Sequence, residues 1–408
     1  MRRVLVTGLG GAGRTTVAAS AALACAARGE RTLLLSPAAD VPLEQPVTGT
    51  PEAPTAVADR LWAARTDPAG DFRAEFLDLQ QRLSTGLDLL GAARLEEDEL
   101  TELPGSGAFA LLRSLAAASR GDWDVLVVDM PPLAEALAAL ALPEELRRYL
   151  RRLLPPERQA ARALRPVLAQ LAGVPMPAQW LYETAARWDA ELAGVQALVA
   201  SRGTGLALVA EPGPAAADAL RTGRAGLSLF GHRLDALVAN RCVPGDSPDP
   251  WLASLAAQQH KCTTEWRAVP PGGPAGAALV EVPHLGRDPR GPEDLESLGT
   301  GPLAPARDGG GPPSEDGADG ARPAPWTVLD RRTEDGTLTL RLPLPGAVKE
   351  ELSLVRRGDE LLLTVGPFRR IVPLPSALRR CTVSGAALRE GVLGVRFTPD
   401  PGLWPRTR

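Results

Sequence analysis

The chain has 408 residues, long enough for two domains, with 44% hydrophobic and 23% charged residues and a formal net charge of −4. Acidic and basic side chains are mixed along it, so no basic block offers a nucleic-acid surface, and no apolar run approaches the roughly 20 residues that cross a bilayer. Cys25, Cys242, Cys262 and Cys381 lie far apart without a C-x-x-C pair, which argues against a disulfide framework or a zinc centre and for a reducing, cytoplasmic setting.

The start, MRRVLV, has the flavour of a secretory signal, but glycines crowd what would be its apolar region, and a phosphate loop accounts for them better. Residues 2–7 (RRVLVT) predict a short buried strand and residues 15–28 (TTVAASAALACAAR) a helix. Residues 31–36 (RTLLLS), 124–129 (DVLVVD), 205–210 (GLALVA) and 234–240 (LDALVAN) predict further buried strands. Strands alternating with helical stretches give an α/β fold: a doubly wound, mostly parallel sheet with helices on both faces, over residues 1–298. Residues 133–200, rich in Ala, Leu, Arg and Glu and carrying Trp180 and Trp188, predict a helical insertion, with Leu137, Leu140, Leu146, Leu150, Leu153 and Leu154 read as core.

Residues 299–325 (GTGPLAPARDGGGPPSEDGADGARPAP) hold almost nothing to bury and predict a flexible, disordered linker. After it, short apolar runs at 336–342, 351–355, 360–365, 370–374 and 391–397 are separated by Gly, Pro and Asp turns. They predict a small all-β sandwich over residues 326–400.

The segment Gly8-Leu9-Gly10-Gly11-Ala12-Gly13-Arg14-Thr15-Thr16 lies between the first strand and the first helix, the setting a P-loop requires. Glycines let the backbone turn its N–H groups onto a phosphate, and the helix start adds partial positive charge. Thr15 stands where a hydroxyl would ligate Mg²⁺. Asp129, closing an apolar strand, stands where a carboxylate would hold that ion through water.

This loop resembles the deviant Walker A loop, G-K-G-G-V-G-K-T-T, of the ArsA arsenite-pump ATPases and the tail-anchored-protein targeting ATPases. Asp129 to Glu135 and Leu140 to Pro143 resemble the family's D-T-A-P-T-G-H…L-A-L-P switch segment, and Leu103-Pro104-Gly105 resembles its L-P-G. Asn240-Arg241 resembles the N-R whose Asn reads the adenine base. Val282-Pro283-His284-Leu285 and Gly291 resemble the late loop that closes over that base. The resemblance implies ATP and Mg²⁺ as cofactors, with Gly8, Gly10, Gly11, Gly13, Arg14, Thr15, Thr16, Asn240 and Pro283 around the nucleotide. Leu344-Pro345-Gly346 with Lys349-Glu350-Glu351, and Gly391 to Val395, resemble an α-crystallin (small heat-shock) domain.

The departures bear on function. The family's two loop lysines are replaced by Leu9 and Arg14. Lysine occurs only at Lys261 and Lys349, so a genome that prefers arginine explains Arg14 but not Leu9. In the family the first lysine reaches the phosphates of the opposite subunit. Ala38 aligns with the Asp that orients the attacking water, Ala134 with the switch glycine, and Glu135 with the switch histidine. Phosphoryl transfer depends on positioning and charge stabilisation, so the expectation is an ATP-binding protein with degenerate catalytic loops. It would serve as a nucleotide-responsive dimeric scaffold or targeting factor, as a homodimer or with a paralogue that supplies the missing lysine, and could handle a protein client. One alternative is a slow, active ATPase coupled to client or ion handling. Another is a chaperone-like module using the β domain. The separated cysteines argue against a metalloid site, and the three methionines against a Met-lined client groove.

Overall fold

A computed structural model of the chain describes residues 1–82, 95–100, 105–154, 179–268, 277–303 and 324–404. Eight strands build the first sheet: β1 (Arg2–Gly8), β2 (Thr32–Ser36), β3 (Thr55–Ala58), β4 (Leu61–Arg65), β5 (Val125–Pro132), β6 (Thr204–Ala210), β7 (Leu234–Cys242) and β8 (Ala278–Pro283). Their order is β3-β4-β2-β5-β1-β6-β7-β8, parallel throughout except where β3 lies against β4. Every residue of β2 and β6 is buried. Such continuous apolar runs, without alternation, belong to strands covered on both faces. The doubly wound, mostly parallel sheet expected from the sequence is therefore present.

The covering helices are α1 (Arg14–Ala27), α2 (Pro68–Arg82), α3 (Ser106–Ala118), α4 (Leu133–Leu153), α5 (Gln179–Ala200), α6 (Pro214–Phe230), α7 (Pro250–Ala268) and α8 (Gly291–Ser297). On one face α1 and α8 pack against Val4, Val6, Leu34, Val127, Val209 and Val238. On the other, α3, α4, α5 and α6 cover Leu5, Leu33, Leu35, Leu126, Val128 and Leu208. The expected helical insertion contains α4 and α5, and residues 155–178 between them lie outside the described residues. Leu137 and Leu140 are buried as expected, whereas Leu153 is exposed and Leu146, Leu150 and Leu154 are half-buried. The expected linker begins at residue 299, yet Thr300 and Leu303 are buried, and Ser20 on α1 bonds Thr300. The chain thus stays packed on α1 through Leu303, because Thr300 bonds Ser20 and Leu303 shares a core with Leu295 and Leu298. Residues 304–323 of that expected linker lie outside the described residues.

The C-terminal part forms two antiparallel sheets: β14-β15-β10-β9 and β11-β12-β13. Their strands are β9 (Thr327–Arg331), β10 (Thr337–Pro343), β11 (Leu352–Arg357), β12 (Glu360–Val365), β13 (Phe368–Pro373), β14 (Cys381–Arg389) and β15 (Val392–Pro399). Leu338, Leu340 and Leu342 alternate inward along β10, as do Leu361, Leu363 and Val365 along β12. The core of these sheets is continuous with that under α4 and α6. At this seam Phe368 packs on Gly226 of α6, where a Cβ would lie 2.6 Å from the ring. Arg370 donates to the Leu229 carbonyl (2.7 Å) and to Glu144 (3.0 Å), with its guanidinium over the Trp326 ring. Arg148 holds Glu360 with two parallel bonds of 2.8 and 2.7 Å.

Candidate nucleotide site

The glycine-rich loop sits at the carboxyl end of β1, between β5 and β6, where a doubly wound sheet reverses its direction of winding. Gly8 is forced by contact: a Cβ there would lie 2.0 Å from the Val209 carbonyl oxygen. Gly13 is forced by conformation, with φ of 85° as the residue capping α1. The Cβ positions of Gly10 and Gly11 face open space. No side chain caps α1 and no acid stands in its first turn, so the positive end of the helix is left facing the loop.

Two side chains of the loop point away from it. The Arg14 guanidinium donates to the Met130 carbonyl at 2.8 Å, tying the start of α1 to the end of β5. Leu9 is half-buried and packs against the cores on both faces of the sheet. Thr15 donates to Asp129 at 2.7 Å, and Ser36 donates to the same oxygen at 2.9 Å. Asp129 is 3% exposed. Burial pushes its carboxyl above the usual range, tempered by the Thr15 and Ser36 bonds and by the charge on Arg14. Thr16 follows on α1, half-buried. Ala38 is half-buried, its N–H bonded to the Ser36 hydroxyl at 3.2 Å. Ala134 and Glu135 are exposed in the first turn of α4, where an acid suits the helix's positive end.

Asn240, buried, donates from Nδ2 to the Ala12 carbonyl at 2.7 Å, joining β7 to the glycine-rich loop. The β7–β8 register shifts by one residue between Ala239 and Cys242, and Arg241 inside that bulge has φ of 58°. Gln259 on α7, 4% exposed, accepts from the Val243 N–H (2.9 Å) and donates to the Arg241 carbonyl (3.0 Å). Pro283 ends β8 opposite Cys242, and the His284 N–H donates to the Cys242 carbonyl at 2.8 Å. Burial, followed by the Glu281 charge, pushes the Cys242 thiol up to about 11, so it behaves as a small apolar group.

The structure thus brings the loop, Thr15, Asp129 and Asn240 together, and sets Pro283 at the end of β8, one strand beyond Asn240 on β7. Leu103 and Pro104 lie outside the described residues. Ser36 and Gln259 were not anticipated. Ser36 ends the apolar run RTLLLS as Asp129 ends DVLVVD, which could have flagged it, whereas nothing in the sequence marks Gln259. Among the described residues no three His, Cys, Asp or Glu side chains converge as a metal centre, and no helix is long and apolar enough to cross a membrane.

Residues 1–299 match the anion-transporting ATPase family, and residues 335–397 match the HSP20-like domain found in ArsA. An uncharacterized protein of Streptomyces coelicolor is 56% identical over the whole of both chains. A protein of Mycobacterium tuberculosis is 31% identical over 98% of this chain and 97% of its own length. A putative arsenical pump-driving ATPase of Aquifex aeolicus is 24% identical over 93% of this chain and 95% of its own. With the loop at the carboxyl end of its sheet and the match running through the whole of that sheet, the chain belongs to the anion-transporting ATPase family.

Proposed function

We propose that the chain binds ATP with Mg²⁺ and hydrolyses it very slowly, serving as a nucleotide-responsive dimeric scaffold or targeting factor of its family. The supporting observation is a division within one loop. The backbone cradle and the Thr15–Asp129 pair are in place, while both side chains at the lysine positions face elsewhere, Arg14 onto Met130 and Leu9 into the core. Thr15 and Asp129 offer the hard oxygen donors that Mg²⁺ takes, and a cation beside Asp129 would offset the cost of keeping that carboxylate charged while buried. Bound Mg²⁺ would neutralise charge on the β- and γ-phosphates.

The remaining work falls to the chain's own groups. Loop N–H groups and the start of α1 bind the phosphates, and Asn240 holds the loop against β7. Arg14 supplies charge near β5 without reaching into the cradle. The position of the water-orienting Asp is occupied by Ala38, which has no group to activate a nucleophile. Each missing stabilising contact costs on the order of 10²–10³ in rate, so their joint loss leaves binding with little turnover.

Calorimetric titration with Mg-ATP, followed by a phosphate-release assay, tests this. Saturable binding is expected with turnover far below the enzyme median of about 10 s⁻¹. Replacing Leu9→Lys together with Arg14→Lys is expected to raise turnover by at least roughly tenfold. Wild-type turnover near the median would remove the slow-hydrolysis reading, and absence of binding would remove the nucleotide reading altogether. Co-purification with a lysine-bearing paralogue would favour a heterodimer over a homodimer.

A further inference from the structure

The three-stranded sheet β11-β12-β13 buries one face in the core and turns the other outward, and part of α4 lies over that outer face. Side chains there fall in rows across the strands. Val355, Leu362 and Ile371 stand opposite one another, and Arg357 stands opposite Glu360. Val355 is 45% exposed, and Leu362 and Ile371 are half-buried, so the apolar row keeps contact with water. Facing it, α4 presents Glu145, Arg148, Tyr149 and Arg152, spaced as one side of a helix. Between them lies an open cleft of about 500 Å³, bordered by that side of α4 and, across from it, by Arg357, Arg369, Leu362 and Ile371. A second cavity of about 260 Å³ adjoins it and shares Arg148, Tyr149 and Glu360.

The charge in this cleft is unbalanced: four guanidinium groups face two carboxylates, Glu145 and Glu360. Glu360 is already engaged, since Arg148 holds both its oxygens and Arg152 stands 3.6 Å away. Arg369 acts on Glu145 through its charge without an ion pair. Among the described residues Arg357 forms no ion pair either, and both arginines are exposed. A small phosphate would use the arginines and leave the apolar row wet. A peptide with acidic and apolar side chains uses both, setting carboxylates against the guanidinium forks and aliphatic groups against Leu362, Ile371 and Tyr149. Arg and Tyr are also the residue types that most often carry binding energy on protein surfaces.

We infer that the cleft between α4 and β11-β12-β13 is a docking site for a segment of a partner protein in which acidic residues are interspersed with apolar ones. The site stands apart from the nucleotide reading, and its test contains no nucleotide. The probe is a blocked, fluorescent octapeptide of alternating Asp and Leu, titrated by anisotropy against the full-length protein. The same peptide with Asn in place of Asp serves as the uncharged control.

Saturable binding of the acidic peptide is expected, with the control at least about tenfold weaker. Replacing Arg357→Gln together with Arg369→Gln should weaken binding at least about tenfold. If that double variant fails to fold, Tyr149→Ala, exposed on α4, decides the matter with an expected loss of about fivefold. A wild type that does not bind, a control that binds equally, or variants of unchanged affinity would overturn the inference. Displacement of the peptide by equimolar inorganic tripolyphosphate would make the cleft a small-anion site and overturn it too. So would capture of the protein by phosphatidylserine vesicles in preference to the peptide, which would make this face a membrane surface.

Discussion

Asp129 spends one carboxylate oxygen on two hydroxyls, Thr15 and Ser36, while the nearby cation Arg14 bonds to the Met130 carbonyl instead. Its charge is therefore held by dipoles, which explains why burial outweighs them and raises its pKa. The sign follows from linkage. A carboxyl whose folded pKa lies above the unfolded value of about 3.9 contributes its stability fully below that value and loses it as pH rises through the folded one. At neutral pH the ionised group is thus a net cost in the apo protein. Asp129→Asn, whose amide oxygen still accepts both hydroxyls, is expected to raise the melting temperature by roughly 2–4 °C in calorimetry. It should at the same time abolish the Mg²⁺ dependence of nucleotide binding. A fall in melting temperature would mean that the carboxylate is stabilising as it stands. The Thr15–Asp129 meeting was legible in the sequence because a strand end and a helix start are fixed points of the fold. Ser36 was not, because its role depends on β2 lying beside β5, and strand order does not show in a single run of apolar residues.

At the scale of elements, α6 is pressed from two sides. Gly223 admits Leu133 of α4 and Gly226 admits both Leu137 and Phe368, so the helix carries small residues where two layers meet it. Arg370 anchors the same seam, its side chain 12% exposed and shared between Leu229 and Glu144. Arg370→Ala is expected to destabilise the full-length protein by about 2–4 kcal/mol in urea denaturation, since the loss leaves the Leu229 carbonyl and Glu144 without this partner. Arg331→Ala on the exposed strand β9 should cost no more than about 0.5 kcal/mol. Comparable effects from the two would refute Arg370 as the anchor. Strands with inward alternation, such as β10 and β12, were readable from their sequence. By contrast β9 and β14 were missed because edge strands exposed along most of their length carry no such pattern. β3 was missed for its shortness, β4 because LWAAR lacks the β-branched residues that mark a strand, and β8 because its residues resembled a loop.

At the scale of the whole molecule, the two parts are joined by charge as well as by apolar packing, and that charge titrates. The Arg148 bonds hold Glu360 below the usual carboxylate range, with help from the charges of Arg148 and Arg152. A depressed folded pKa contributes stability that is present above the unfolded value of about 4.3 and is lost as pH falls through the lower folded value. Hydrogen-exchange protection of β12, measured in low salt, should therefore weaken as pH drops below that range. In Glu360→Gln the acid-side loss should shrink, and an identical profile in the variant would count against this pair as its origin. The seam itself was not legible: the sequence indicated two folds and a stretch unfit to pack, but not which faces of α4 and α6 would be covered.

One further consequence follows from α4 being a single helix. It begins four residues after Asp129 and carries Arg148 fifteen residues along, a span of about 22 Å at 1.5 Å per residue. It links the neighbourhood of the glycine-rich loop at one end to the C-terminal sheets at the other. A tilt of about 5° at the loop end displaces the far end by about 2 Å, enough to break a bidentate bond. Pro143, which has no N–H to donate to the Ala139 carbonyl, removes one rung of that helix's ladder part-way along.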